Sequence, residues 1–339
     1  MKQIQIPVIL RPASSRRQLL LAGCAAAIAS TLPMQTWAQS DFPNRQIRIV
    51  VPYSPGTGSD VLARTIAQSI TEKTGKSVII ENKEGAGSLI GTQEVARSAP
   101  DGYTILIAAN PLVIVPSQKA APPYDPVKDF VPVAKVAVIP LVLAVSPALN
   151  INSVKELMAH AKANPGKLSY GSSGPGTISQ QEMELFKQAA SLEIQEIPYK
   201  STAQAMTDLI GGNLPLFPAV VPLVAPHIQS GRAKAIAVLD NQRSQLLPDV
   251  PAITEGGGIP GYVPTPVWYA FVAPAKTPEA VINVLNGYIT TAMASPDVKT
   301  KLAGLGATPV SVTNAQFAAD LKAEYEKAGA LAKKLGSYK

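Results

Sequence analysis

Two glycine-rich turns carry the residues best suited to chemistry. The first runs Pro52-Tyr53-Ser54-Pro55-Gly56-Thr57-Gly58-Ser59-Asp60, between a β-branched run and a segment of helical period. Glycines there let backbone N–H groups come close to a ligand, and the N-terminus of the following helix adds partial positive charge. Tyr53 stands ahead of the turn, Pro55, Gly56 and Gly58 shape it, and Thr57 and Ser59 offer hydroxyl donors. Asp60 is placed to act as the N-cap. A carboxylate fits this environment, although a plain tight turn before a capped helix would use the same residues. The second turn, Gly171 to Thr177, offers Ser172, Ser173 and Thr177 as donors around Gly174. Facing each other across a cleft, two such turns hold two ends of a solute.

Other chemistries fit less well. A phosphate-binding loop needs a lysine next to Ser/Thr, and the first turn has none. The rival enzyme reading, a serine hydrolase on a doubly wound fold with Ser172 or Ser173 as nucleophile, needs Gly-x-Ser-x-Gly, which Gly171-Ser172-Ser173-Gly174 does not match. His160 and His227 are far apart and sit on helical segments, His160 as a solvated residue and His227 at a helix end. No pair of carboxylates has hydrolase spacing. No metal or cofactor is expected.

The elements around the turns alternate short strands with amphipathic helices, which predicts an α/β fold. Strand Ile47 to Pro52, helix Asp60 to Thr74, strand Val78 to Glu81, helix Leu89 to Ala99 and strand Thr104 to Ala108 form one βαβαβ unit. Leu62, Ile66 and Ile70 mark the buried face of the first helix, and Gly75 stops it. A loop with Pro111, Pro116, Pro122, Pro123 and Pro126 follows. The run Phe130 to Val145, interrupted by Pro132 and Pro140, suits a chain crossing from one lobe to another. A second unit has helices Val154 to Ala163, Ser179 to Ala190 and Thr202 to Ile210, with strands Leu168 to Tyr170, Ile194 to Pro198, Leu214 to Phe217 and Ala233 to Leu239. Gly256 to Pro266 reads as the return crossing. Strand Trp268 to Ala273, helix Pro278 to Ser295, strand Ala307 to Val310 and helix Gln316 to Leu335 complete the chain. Lobe 1 is therefore expected from 41–140 plus 264–339, and lobe 2 from 141–263. No internal repeat or low-complexity segment stands out.

The first 38 residues read as a signal peptide. Arg16 and Arg17 precede an apolar stretch from Leu19 to Leu32 and a small-residue end at Thr36-Trp37-Ala38. Ser15-Arg16-Arg17-Gln18-Leu19-Leu20 also resembles a twin-arginine signal. Leu21-Ala22-Gly23-Cys24 resembles a lipoprotein box that would anchor the chain at Cys24. Cys24 is the only cysteine, so no disulfide is available. The formal net charge is +7, and taking away Lys2, Arg11, Arg16 and Arg17 leaves +3, which excludes the strongly basic surface that nucleic acid requires. A small positive balance suits an anionic solute.

The turn from Ile49 to Asp60, followed by Glu81-Asn82-Lys83-Glu84-Gly85-Ala86-Gly87 and Pro100-Asp101-Gly102-Tyr103-Thr104, resembles the Bug family, the solute-binding receptors of tripartite tricarboxylate transporters. Further matches are Tyr170 to Gly176, Pro198-Tyr199-Lys200, Asp208 to Gly212, Pro226-His227-Ile228, Leu247 to Pro251 and Ala273-Pro274, in order along residues 43 to 339. The resemblance implies a two-lobed, type II-like clamp with a parallel-rich sheet in each lobe, working as a monomer in the periplasm. It implies a small dicarboxylate, tricarboxylate or aromatic acid as ligand, and membrane transporter subunits, or a signalling partner, as recipients. Two departures bear on selectivity. Gln180 and Gln181 stand where many members place histidine then leucine, and Ala219 and Val220 stand where members commonly place Asp and Asn in the loop after a strand. An apolar ligand body is therefore expected, stacked on Tyr53, Tyr269 or Trp268; Trp268 alternatively belongs to the core.

Overall fold

In the computed structural model, residues 42–174, 176–199, 201–334 and 336 are described; the leader and Cys24 lie outside them. Two sheets organise the chain. The first contains β1 (Ile47–Val51), β2 (Val78–Asn82), β3 (Thr104–Ala108), β4 (Phe130–Ile139), β10 (Val267–Pro274) and β11 (Thr308–Pro309). The second contains β5 (Leu141–Val145), β6 (Leu168–Ser172), β7 (Ile194–Pro198), β8 (Leu216–Val220) and β9 (Lys234–Leu239).

The strand orders are β11-β4-β10-β3-β1-β2 and β7-β6-β8-β5-β9. Within each sheet, four strands share one direction. A reversed strand, β10 in the first and β5 in the second, lies between two of them and pairs antiparallel on both sides. The sheets are therefore parallel-rich, as expected, but mixed. The cause is the crossing itself, because a strand arriving from the other sheet enters against the local direction. Both sheets share one plan, a parallel β-α-β-α-β unit, then the reversed strand, then the fourth parallel strand, to which the first sheet adds β11 antiparallel at its edge.

Pro140 separates β4 from β5. It breaks the apolar run at the point where the chain leaves one sheet for the other, since proline cannot donate to a central ladder. Segment 240–266 makes the return.

Helix α1 (Gly58–Thr74) buries Leu62, Ile66 and Ile70 at four-residue spacing and ends at Gly75, whose φ of 67° is the left-handed conformation that favours glycine. The remaining helices are α2 (Leu89–Ala96), α3 (Pro111–Ser117), α4 (Val154–Ala163), α5 (Ile178–Ala190), α6 (Thr202–Ile210), α7 (Val221–Gln229), α8 (Glu279–Met293), α9 (Pro296–Gly304) and α10 (Asn314–Lys334). Two of them correct the sequence reading. Helix α3 occupies the stretch taken as loop, because Pro111 sits in the first turn, where its missing N–H is harmless, and Leu112, Val113 and Ile114 are buried. Helix α9 was not expected; Ser295 caps it by accepting from Val298 N–H at 3.3 Å, with Pro296 behind the cap.

One buried apolar cluster continues through both sheets, passing from Ile139 to Leu141 across the crossing. The opposite face of the first sheet packs Val50, Leu106, Trp268 and Phe317, and that of the second packs Val142, Phe217 and Val224. Strands buried on both faces read as continuous apolar runs, as β5 does.

Candidate functional site

A cavity of about 360 Å³ lies between the two sheets. It is lined by the β1–α1 and β6–α5 turns, the starts of α3, α6 and α7, the end of β8 and the start of β10.

In the first turn Thr57 is the N-cap of α1, and its side chain caps none of the first-turn N–H groups. It bonds backward instead, Oγ1 donating to Ser54 O at 2.9 Å. Asp60 is therefore not the N-cap. It lies three residues inside, 3% exposed, and Oδ2 accepts from Gly56 N–H at 2.9 Å and from Arg64 Nε at 3.0 Å, while Oδ1 accepts from Asn82 Nδ2 at 2.9 Å. Burial pushes the Asp60 carboxyl up, but the Arg64 guanidinium, the Gly56 N–H and the Asn82 amide together hold it below the usual carboxylate range. A reach-back carboxylate of this kind fixes the turn and leaves the helix end free.

The second turn repeats this arrangement. Thr177 is the N-cap of α5 with no side-chain cap, and Oγ1 donates to Gly174 O at 2.6 Å. Gln180 Oε1 accepts from Gly176 N–H at 3.0 Å, and Gln180 Nε2 donates to Glu196 Oε2 at 2.9 Å, in the role that Asn82 fills beside Asp60. Gly56 and Gly176 share a φ of 82°. The sequence carries the signal, Pro55-Gly56-Thr57-x-Ser59 echoed 120 positions later as Pro175-Gly176-Thr177-x-Ser179. An internal repeat therefore exists where none was expected.

Of the residues singled out in the sequence, Tyr53, Thr57, Gly58, Ser59, Ser173, Thr177 and Ala219 line the cavity. Pro55 and Gly56 form the exposed tip of the first turn. Asp60, Ser172 and Gly174 lie behind the lining: Ser172 Oγ is wholly buried, donates to Glu196 Oε1 at 2.5 Å and accepts from Gly174 N–H at 3.0 Å. Gln180 braces the turn. Gln181 is buried, and its Nε2 has no partner among the described residues. Ala219 and Val220 end strand β8 instead of lying in a loop after it.

The two tyrosines stand at the first-lobe side. Burial pushes both phenols up, Tyr269 to about 12, so both remain protonated donors at neutral pH. Tyr269 Oη approaches Gly58 so closely that a Cβ there would lie 2.7 Å from it. Trp268 turns the other way, packing edge-on against Phe317 and donating Nε1–H to Glu324 at 2.7 Å. It belongs to the core. His160 is exposed on α4 and His227 sits in the last turn of α7.

Asn110, Ser179, Phe217, Leu223 and Val267 also line the cavity and were missed. Only Ser179 had a usable signal, the repeated motif. Asn110 is fully buried and knits the return crossing, Nδ2 donating to Pro266 O at 3.2 Å and to Glu324 Oε1 at 2.9 Å.

Among the described residues no lining side chain carries a charge. The positive potential comes from helix starts, each equivalent to roughly half an elementary charge, with α1 and α5 contributing first-turn N–H groups that no side chain caps. Such a site favours an anion without a fixed cation.

The family described as "Tripartite tricarboxylate transporter family receptor" matches residues 62–337. Protein BugT of Bordetella pertussis is 36% identical over 298 residues, covering 87% of this chain and 91% of that protein. The solved structure of periplasmic binding protein BugD is 32% identical with a TM-score of 0.73, covering 88% of this chain and 99% of that one. Rpa4515 of R. palustris, solved with adipate, is 33% identical with a TM-score of 0.74, covering 86% and 99%. With this breadth of match across both lobes, the chain belongs to the tripartite tricarboxylate transporter receptor family.

Proposed function

We propose that this chain is a periplasmic receptor that captures one small organic carboxylate in the cavity and delivers it to the membrane subunits of a tripartite tricarboxylate transporter. The observation that carries the reading is the repeated turn. Two uncapped helix N-termini, each with a threonine and a serine, meet at one cavity that lacks charged lining among the described residues. The uncapped first-turn N–H groups after Thr57, those of Gly58 and Ser59, would donate from the first lobe, and those after Thr177, together with the Ser173 hydroxyl, from the second. The two threonine hydroxyls bond within their own turns. Tyr53 and Ala219 would bound the ligand, while Pro55, Gly56, Asp60, Ser172 and Gly174 hold the turns in shape. Residues 41–140 with 264–339 and residues 141–263 would move as the two jaws, as a monomer, with crossings at Pro140 and in segment 240–266 as hinge.

Binding without turnover is favoured over hydrolysis because Ser172 is committed to Glu196 and Gly174. Neither histidine lines the cavity. A thermal-shift screen of organic acids tests the reading. A ligand at a hundredfold its dissociation constant stabilises by about 2.7 kcal/mol, which raises Tm by roughly 5 °C or more. A screen with no response from any carboxylate would contradict it.

A further inference from the structure

The second-lobe wall of the cavity is formed by Phe217, Pro218, Ala219 and Val220, with Leu141 and Leu223 beside them. Its backbone offers little to a polar group. Val220, Ala219 and Pro218 pair in antiparallel register with Leu141, Val142 and Leu143, and Val221 N–H donates to Pro140 O at 3.3 Å. Pro218 and Pro222 have no N–H at all. The free donors gather at the two turns, in the uncapped first-turn N–H groups of α1 and α5.

A carboxylate has two oxygens and about four acceptor sites. One turn per oxygen would use the donors of both lobes on a single carboxylate, which is also what would make closure sense its presence. A second carboxylate on the same ligand would then lie on the wall, where the side chains are apolar and no described cation stands, and burying an ionised group against them is unfavourable.

We propose that the ligand is a monocarboxylate with an uncharged apolar body, aromatic or branched aliphatic. Its body lies on the wall from Phe217 to Val220, and the faces of Tyr53 and Tyr269 close the opposite side. This inference rests on the carboxylate-receptor reading and names its substrate class.

Isothermal titration of the purified chain with benzoate, phenylacetate, 4-methylpentanoate, adipate, malate and citrate tests it. At least one of the first three should bind about tenfold or more tightly than any of the last three. Ala219→Asp should weaken that binding by about tenfold or more, since it sets a like charge on the wall. If Ala219→Asp melts early, Val220→Thr, of the same shape, should still weaken binding several-fold. Equal or tighter binding of adipate, malate or citrate, or unchanged affinity in the well-folded variant, overturns this inference alone. Binding of none of the six overturns both it and the carboxylate reading beneath it.

Discussion

Glu182 on α5 offers a sharp test of how the return crossing is held. Its side chain is wholly buried, and Oε2 accepts from Tyr262 Oη at 2.7 Å and from Thr265 N–H at 3.1 Å. Oε1 is buried and has no partner among the described residues. The same short segment is tied from the other side by α10, where Lys327 Nζ donates to Val263 O at 2.9 Å and to Thr265 Oγ1 at 2.8 Å. Burial pushes the Glu182 carboxyl up to about 7 from an ordinary 4.5, while the Tyr262 hydroxyl, the Thr265 N–H and Lys327 pull it down by less. The folded state therefore holds a proton that the unfolded chain has released. Stability from this group is fully present below about pH 4.5 and is lost as pH rises through about 7, with a span of about 3 kcal/mol. Glu182→Gln keeps the size and an accepting oxygen but cannot ionise. Urea unfolding of both proteins from pH 5 to 8 should show the wild type losing stability relative to the variant by about 2–3 kcal/mol, most of that span. The buried Glu324, whose carboxyl burial also pushes up, is present in both proteins and cancels in the difference. A difference that stays constant across this range would refute the burial argument, whatever its size.

Three further outcomes follow from the two turns. Gly58→Ala sets a Cβ 2.7 Å from Tyr269 Oη, so the phenol must shift, at a cost of about 1–3 kcal/mol and with weaker ligand binding, both readable by calorimetry. Asp60→Ala leaves the Gly56 N–H and the Asn82 amide without their acceptor and should cost about 1–3 kcal/mol at neutral pH. Because the Asp60 carboxyl is held low in the fold, its contribution is present above the ordinary carboxylate range and is lost as pH falls through its folded value. The variant should therefore show a shallower acid loss in denaturant titrations. Thr57→Val and Thr177→Val each remove the hydroxyl that ties its turn to Ser54 O or Gly174 O, and should weaken ligand binding by about tenfold, and by similar factors, because the turns share one geometry. A loss confined to one of them would break the equivalence.

Much of the fold was legible because its physics is local. Leu62, Ile66 and Ile70 follow the helical period, and Pro140 stands between two apolar runs that each form a strand. Helix α3 was hidden by Pro111 and Pro116, which read as loop residues unless the first is seen as a helix start. The direction of β5 and β10 depends on which sheet each joins, and no local pattern encodes that. At the site, the turns were visible in their glycines, but the division of labour within them was not. Asp60 and Ser172 look like ligand contacts by type and position, yet each accepts from one of its own turn's N–H groups. Glu182 reads as a solvent-facing helix residue because its partners, Tyr262 and Thr265, lie some 80 positions away.

The central claim is that paired helix ends, without a cation, hold a carboxylate between the lobes. Titrating the purified chain with a binding acid and with its uncharged primary amide tests this most directly. The account predicts one acid bound per chain, and an amide bound about a hundredfold or more weakly. An amide bound as tightly as the acid would contradict it.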